Sequence, residues 1–120
     1  NLVRTYLYEN ASFPNALTGV IDENGKRMVS YFYDTQGRSN LEYLAGEVDR
    51  AALSFSTDGK TTTITDGLNT VRTITFASIL GVDKVVARTQ PGGAGCNASS
   101  SNITYDANGN VTKTVGFNVK

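Results

Sequence analysis

Along this chain apolar and polar residues alternate in short runs, and Gly- and Asn-rich clusters interrupt them. Alternation with a period of two places successive side chains on opposite faces of a strand. On that basis Leu2 to Tyr8, Leu17 to Asp22, Arg27 to Asp34 and Ser39 to Ala45 read as strands. Asn10 to Ala16 reads as a loop, with Phe13-Pro14 setting its direction. In Arg27 to Asp34, Met28, Ser30 and Phe32 share one face and Val29, Tyr31 and Tyr33 the other. Ala51 to Ser56, Thr61 to Thr65 and Val71 to Phe76 continue the pattern. Ala77 to Val86 reads less cleanly: Ser78 to Gly81 suits either a short helical turn or a continued strand, with a further strand at Val82 to Arg88. Gln90 to Ser101 reads as a flexible Gly/Ser-rich loop, before a last hairpin of Ile103 to Asp106 and Val111 to Val115. No segment keeps an apolar period of 3.6, so little or no helix is expected.

The turns between these strands resemble one another, and such internal repetition is informative. Tyr33-Asp34-Thr35-Gln36-Gly37-Arg38 and Tyr105-Asp106-Ala107-Asn108-Gly109-Asn110 share Tyr-Asp-x-x-Gly and a polar sixth residue. Phe55 to Lys60, with Asp58-Gly59, is a degenerate copy, and Ile21 to Lys26, with Asp22 and Gly25, is another. Thr65 to Thr70 is a fifth, with Asn69 where Gly is expected. In each copy the first residue ends a strand and packs on its neighbour. The Asp accepts hydrogen bonds from backbone N–H groups two residues on. The Gly takes a left-handed conformation, and the polar residue restarts the outgoing strand. At Asn24-Gly25 the dipeptide predicts two residues with positive φ.

Composition reinforces the all-β expectation. Thr, Gly, Asn, Tyr and Val are plentiful, and only Pro14 and Pro91 break the run of hydrogen-bonding residues. The 120 residues allow one domain that buries roughly two-thirds of its unfolded surface. Lys plus Arg balance Asp plus Glu at 11 each, with no basic stripe, which argues against nucleic-acid binding. No apolar run is long enough to cross a membrane as a helix. The chain starts at Asn1 without Met or a leader pattern, so an excised fragment is expected, with any export signal outside it.

Candidate chemistry is sparse. The chain has no His, which removes a Ser–His–Asp triad and any His metal ligand. Cys96 is a lone thiol that can form no intramolecular disulfide and reads as a small loop or core residue. Pro91 to Cys96 is Gly-rich but lacks the Gly-Lys-Ser/Thr ending of a phosphate loop. Asp106, Asn108 and Asn110 space like part of a calcium loop, yet the Gly is misplaced and the bidentate Glu is missing. A turn is expected between Glu42 and Glu47, which makes them solvated strand-edge charges instead of a glycosidase pair. Tyr6, Tyr8, Tyr31, Tyr33, Tyr43 and Tyr105 suit cross-strand packing, and an aromatic face for carbohydrate is the competing use. No catalytic, metal or cofactor-binding residue is assigned.

The Tyr-Asp-x-x-Gly-[Arg/Asn] units resemble the YD repeats of bacterial Rhs proteins, of the shell-forming component of Tc toxin complexes, and of teneurins. Tyr8 to Pro14, Leu17 to Gly25 and Tyr105 to Val111 look like Rhs proteins in particular, and the likeness runs over residues 1–120 as a single repeat segment. It implies an antiparallel strand-turn-strand array forming a curved open sheet, one piece of a larger hollow β-shell. It implies a structural role, enclosing a C-terminal toxin or effector, in a protein secreted or displayed at a bacterial cell surface. Its partners would be the rest of the shell and the enclosed toxin domain, with self-association possible through sheet edges. The chain has far fewer repeats than a closed shell and no Asp-Pro self-cleavage motif, so closure and autoproteolysis do not carry over. The four Asn-x-Ser/Thr sequons, at Asn10, Asn97, Asn102 and Asn110, would go unused in a bacterium. A stand-alone extracellular carbohydrate- or protein-binding β module is the alternative.

Overall fold

The computed structural model describes residues 2–93 and 97–119. The fold is all-β: ten strands, β1 Thr5–Leu7, β2 Gly19–Ile21, β3 Arg27–Tyr33, β4 Ser39–Leu44, β5 Val48–Phe55, β6 Thr61–Asp66, β7 Val71–Ile79, β8 Val82–Gln90, β9 Ala98–Tyr105 and β10 Val111–Val119. The only helical element among the described residues is one 3-10 turn at Ala45–Glu47. Every described ladder is antiparallel and joins strands consecutive in sequence. The strands expected from the alternation therefore form, in the open antiparallel array that the repeat resemblance implies.

Packing gathers in two units, Asn1–Leu53 with Asp66–Leu68 and Ser54–Thr65 with Asn69–Lys120. In the first, Val20 is the one buried apolar residue among those described, beside buried Thr18 and Ser30. In the second, no described apolar residue is buried, and in neither is any described side chain fully enclosed. The accessible surface is 8250 Å², about 55% burial of the roughly 18,600 Å² an unfolded chain of this mass exposes, short of the two-thirds expected from length. Stability rests on ladder hydrogen bonds and on side chains touching across strands, such as exposed Phe32 and half-buried Tyr43, whose ring centroids lie 5.5 Å apart.

Three differences from the sequence reading have local causes. β7 and β8 run longer than expected and meet at a two-residue turn, Leu80-Gly81, with Ile79 paired to Val82. Both turn residues are left-handed, φ 53° and 77°. The strand-continuation reading of Ser78 to Ile79 is the one that forms, while Leu at a left-handed position gives no turn signal. β5 begins at Val48, three residues early, because the turn Ala45–Glu47 is tight enough to pair Leu44 with Val48. The expected loop at Gln90 to Ser101 is shorter: Gln90 belongs to β8 and Ala98 onward to β9, where Ser99 pairs with Gln90 and Ser101 with Arg88. Serines read as linker residues are thus strand residues, placed there by pairing with β8. Cys96, with Ala94 and Gly95, lies outside the described residues.

Candidate functional site

The residues singled out by repetition fold into one recurring device, and its parts follow from the hydrogen-bonding needs of a three-residue hairpin loop. In the turn between β3 and β4, Gly37 N–H donates to Asp34 O at 3.0 Å and Asp34 N–H to Arg38 O at 2.9 Å. Gly37 is left-handed at φ 78°, the arrangement of a type I turn closed by a bulge glycine. Asp34 Oδ1 accepts from the N–H groups of Gln36 at 2.9 Å and Arg38 at 3.0 Å. Asp34 Oδ2 accepts from Arg38 Nε at 2.7 Å. Between β9 and β10 the same bonds recur: Oδ1 of Asp106 takes Asn108 N–H at 2.9 Å and Asn110 N–H at 2.8 Å, and Oδ2 takes Asn110 Nδ2 at 3.2 Å. The sixth residue therefore latches the carboxylate as well as restarting the strand.

The tyrosine has an equally repeated role. Tyr33 Oη donates to Leu17 O and Tyr105 Oη to Val85 O, each at 2.7 Å. Leu17 lies just before β2 and Val85 within β8, so each phenol ties its turn to the segment that precedes its own strand. Each full copy is also covered. The Phe13 ring lies 3.0 Å from where a Cβ on Gly37 would stand. Asn10 Oδ1 holds that ring in place by accepting from Ser12 and Phe13 N–H. Lys84 Nζ and Leu80 Cδ1 lie 3.0 and 3.3 Å from the equivalent point on Gly109. Lys84 also donates to Gly109 O and sits 5.3 Å above the Tyr105 ring.

The degenerate copies keep less of the device. Asp22 Oδ1 accepts from Asn24 and Lys26 N–H, and Gly25 is left-handed at 75°, but Gly25 has nothing over it within 4 Å. Asn24 is not left-handed, so the two-residue positive-φ hairpin expected there is corrected: the loop has three residues and needs only its glycine to cross over. At Phe55 to Lys60 the closing bond shifts to Ser56 N–H and Thr61 O. There Ser56 Oγ accepts from Thr61 N–H and donates to Asp58, whose Oδ1 takes Lys60 N–H. Asp66 Oδ1 accepts from Leu68 N–H, and Asn69 fills the left-handed slot at 61°.

A further feature went unread in the sequence. In the ladders β2–β3, β3–β4 and β9–β10 the register skips one residue, Met28, Asn40 or Thr112. Each lies six residues after its turn Asp. The repeat thus carries a bulge, which bends and twists the outgoing strand. Polar-apolar patterning cannot announce such a bulge, since Met, Asn and Thr share no chemistry.

The turn carboxylates of Asp22, Asp34, Asp58 and Asp106 are held below the ordinary carboxylate value. For Asp22 and Asp106 the chief cause is the backbone N–H of Lys26 and of Asn110, and for Asp58 the Ser56 hydroxyl. At Asp34 burial pushes upward, and the Arg38 N–H and guanidinium together with Gln36 N–H outweigh it.

Other candidates do not converge. Glu42 lies on β4 and Glu47 in the turn that follows, and they line different hollows. Among the described residues no group of three metal-ligating side chains gathers. Tyr31, Tyr33 and Tyr43 do meet, with Phe32, in a hollow of about 620 Å³ rimmed by Glu9 and Arg27. Arg27 pairs with Glu9 at 2.9 Å and donates to Thr18 O at 2.6 Å, its guanidinium occupying the space a Cβ on Gly19 would need. No family model matches this chain, and no curated protein matches it.

Proposed function

We propose that this chain is a structural segment of a YD-repeat shell of the Rhs kind, secreted or at the cell surface, that helps enclose a toxin or effector and supplies no chemistry of its own. The observation that carries this reading is the identity of the two full repeats. In both, the Tyr hydroxyl binds a backbone carbonyl of the preceding segment, one carboxylate oxygen closes the turn, and the sixth residue latches the other. Such a unit serves strand-beside-strand propagation, because the carboxylate fixes its own hairpin while the tyrosine ties that hairpin to the segment before it. The test is the size of the native product. An antibody raised against this chain should detect a band many times larger than 12.8 kDa in source cells or their medium. A band of the chain's own size sinks the reading, since so few repeats cannot enclose a cargo.

One observation favours a second reading, a stand-alone binding module. The aromatic hollow rimmed by the Glu9–Arg27 pair has the size and mixed lining of a small-ligand site. A melting temperature that rises with a soluble oligosaccharide, and no longer does so in Tyr43→Ala, would support it.

A further inference from the structure

The two units differ in charge although the chain is neutral. Unit one contains eight acidic and five basic residues, and unit two three acidic and six basic, so they carry net charges of −3 and +3. Each unit also presents a surface on which charge of its own sign borders exposed or half-buried apolar groups. In unit one, Val29 pairs with Leu44 and Tyr31 with Glu42, so all four share one face, which with Asp49 lines a hollow of about 230 Å³. Leu44 is 42% exposed, and Glu42 makes no ion pair among the described residues. In unit two, Ile64 pairs with Arg72, Ile74 with Arg88, Arg88 with Ser101 and Ser101 with Gly116. These side chains share one face of a groove of about 510 Å³ that no acidic residue lines. Its floor is low because Ser101 and Gly116 stand where larger residues would fill it. Arg72 is oriented by its Nε, which donates to Gln90 Oε1 at 2.6 Å. Arg88 is exposed and makes no ion pair among the described residues.

We infer that the basic groove of unit two receives the acidic patch of unit one from a second copy of this chain. Apolar centres with rims of opposite sign are the usual anatomy of a specific interface, and the charges would set its orientation. The surface available matches what such an interface needs. The chain exposes 8250 Å², about 2,000 Å² more than the roughly 6,300 Å² expected of a compact 12.8 kDa monomer. A standard stable interface buries about 1,200–2,000 Å² in total. Patch and groove are different surfaces of the same chain, so two copies can join through one such contact or through two reciprocal ones. A single contact leaves one surface of each copy unused and carries association on to open chains or closed rings, and a reciprocal pair closes a two-fold dimer. The proposal does not depend on a toxin cargo and is tested without one.

Sedimentation velocity on the purified chain at 10–200 µM distinguishes the cases. In 50 mM NaCl the weight-average mass should climb well above that of the monomer, and association should weaken about tenfold or more in 500 mM NaCl. Arg88→Glu and Glu42→Lys should each be monomeric alone, with unchanged β-type circular dichroism. Mixed together, they should associate, because the intact groove of the Glu42→Lys chain accepts the intact patch of the Arg88→Glu chain. A chain that stays monomeric in low salt overturns the proposal. So does association that resists salt and both charge reversals, which would indicate pairing of strand edges.

Discussion

Gly37 and Gly25 hold the same backbone conformation, φ 78° and 75°, in different surroundings. An L side chain in that region costs about 1–2 kcal/mol. Gly25→Ala should lose about that much, because nothing lies within 4 Å of the new methyl. Gly37→Ala should lose more, since the Phe13 ring must also move from 3.0 Å. Urea unfolding of the two variants measures the difference, and equal losses would mean that Phe13 does not clamp the turn. Tyr33→Phe and Tyr105→Phe each remove one hydroxyl bond to a carbonyl and should cost roughly 0.5–1.5 kcal/mol apiece in the same assay. The turn aspartates set the response to acid. Their native values lie below the unfolded value of about 3.9, so the unfolded chain binds more protons and stability rises with pH through that interval. Stability should be fully present above the unfolded value and drain away as pH falls through the lowered native ones. Asp34→Asn should flatten part of that fall in a melting-temperature series from pH 6 to pH 2.

Among the elements, the β7–β8 hairpin is one where sequence and backbone disagree. Its Leu80-Gly81 turn places a leucine at φ 53°, a conformation that suits Asn far better. Leu80 is 70% exposed, so its side chain contributes little packing beyond its touch on Gly109. Leu80→Asn should therefore stabilise the chain by roughly 1 kcal/mol, read as a raised urea midpoint with unchanged slope. A fall instead would show that the cover over Gly109 outweighs the backbone strain. The strand ends were less legible than the strands. β9 starts at Ala98, well before the alternation at Ile103 becomes visible, because the serine run Ser99 to Ser101 pairs only when a partner such as β8 offers its edge. The bulges at Met28, Asn40 and Thr112 were hidden for the same reason: they are defined by what lies opposite.

For the molecule as a whole, thin burial has a thermodynamic signature. Unfolding 120 residues of an ordinary globular chain raises the heat capacity by about 1.4–1.8 kcal/mol/K. With Val20 as the one buried apolar residue among those described, the monomer should fall clearly below that range. Scanning calorimetry in high salt, where charge-driven association is suppressed, measures it. A value inside the range would mean that apolar surface is buried in a way these strands do not account for.

The repeat itself was written in the chain. Asp34, Gly37 and Arg38, and their counterparts Asp106, Gly109 and Asn110, act locally, and bonds within so short a turn depend on little beyond those residues. Alternation likewise indicated strands and little helix, since a period of two does not suit a helix. What local pattern could not specify is everything that needs a partner from elsewhere in the chain. The carbonyls of Leu17 and Val85 that receive the tyrosines, the cover of Phe13 and Lys84 over the turn glycines, and the alignment of Ile64, Arg72, Ile74 and Arg88 along one groove all depend on strand register. Register is decided by tertiary pairing, because a shift of one residue would move each of these side chains to the opposite face.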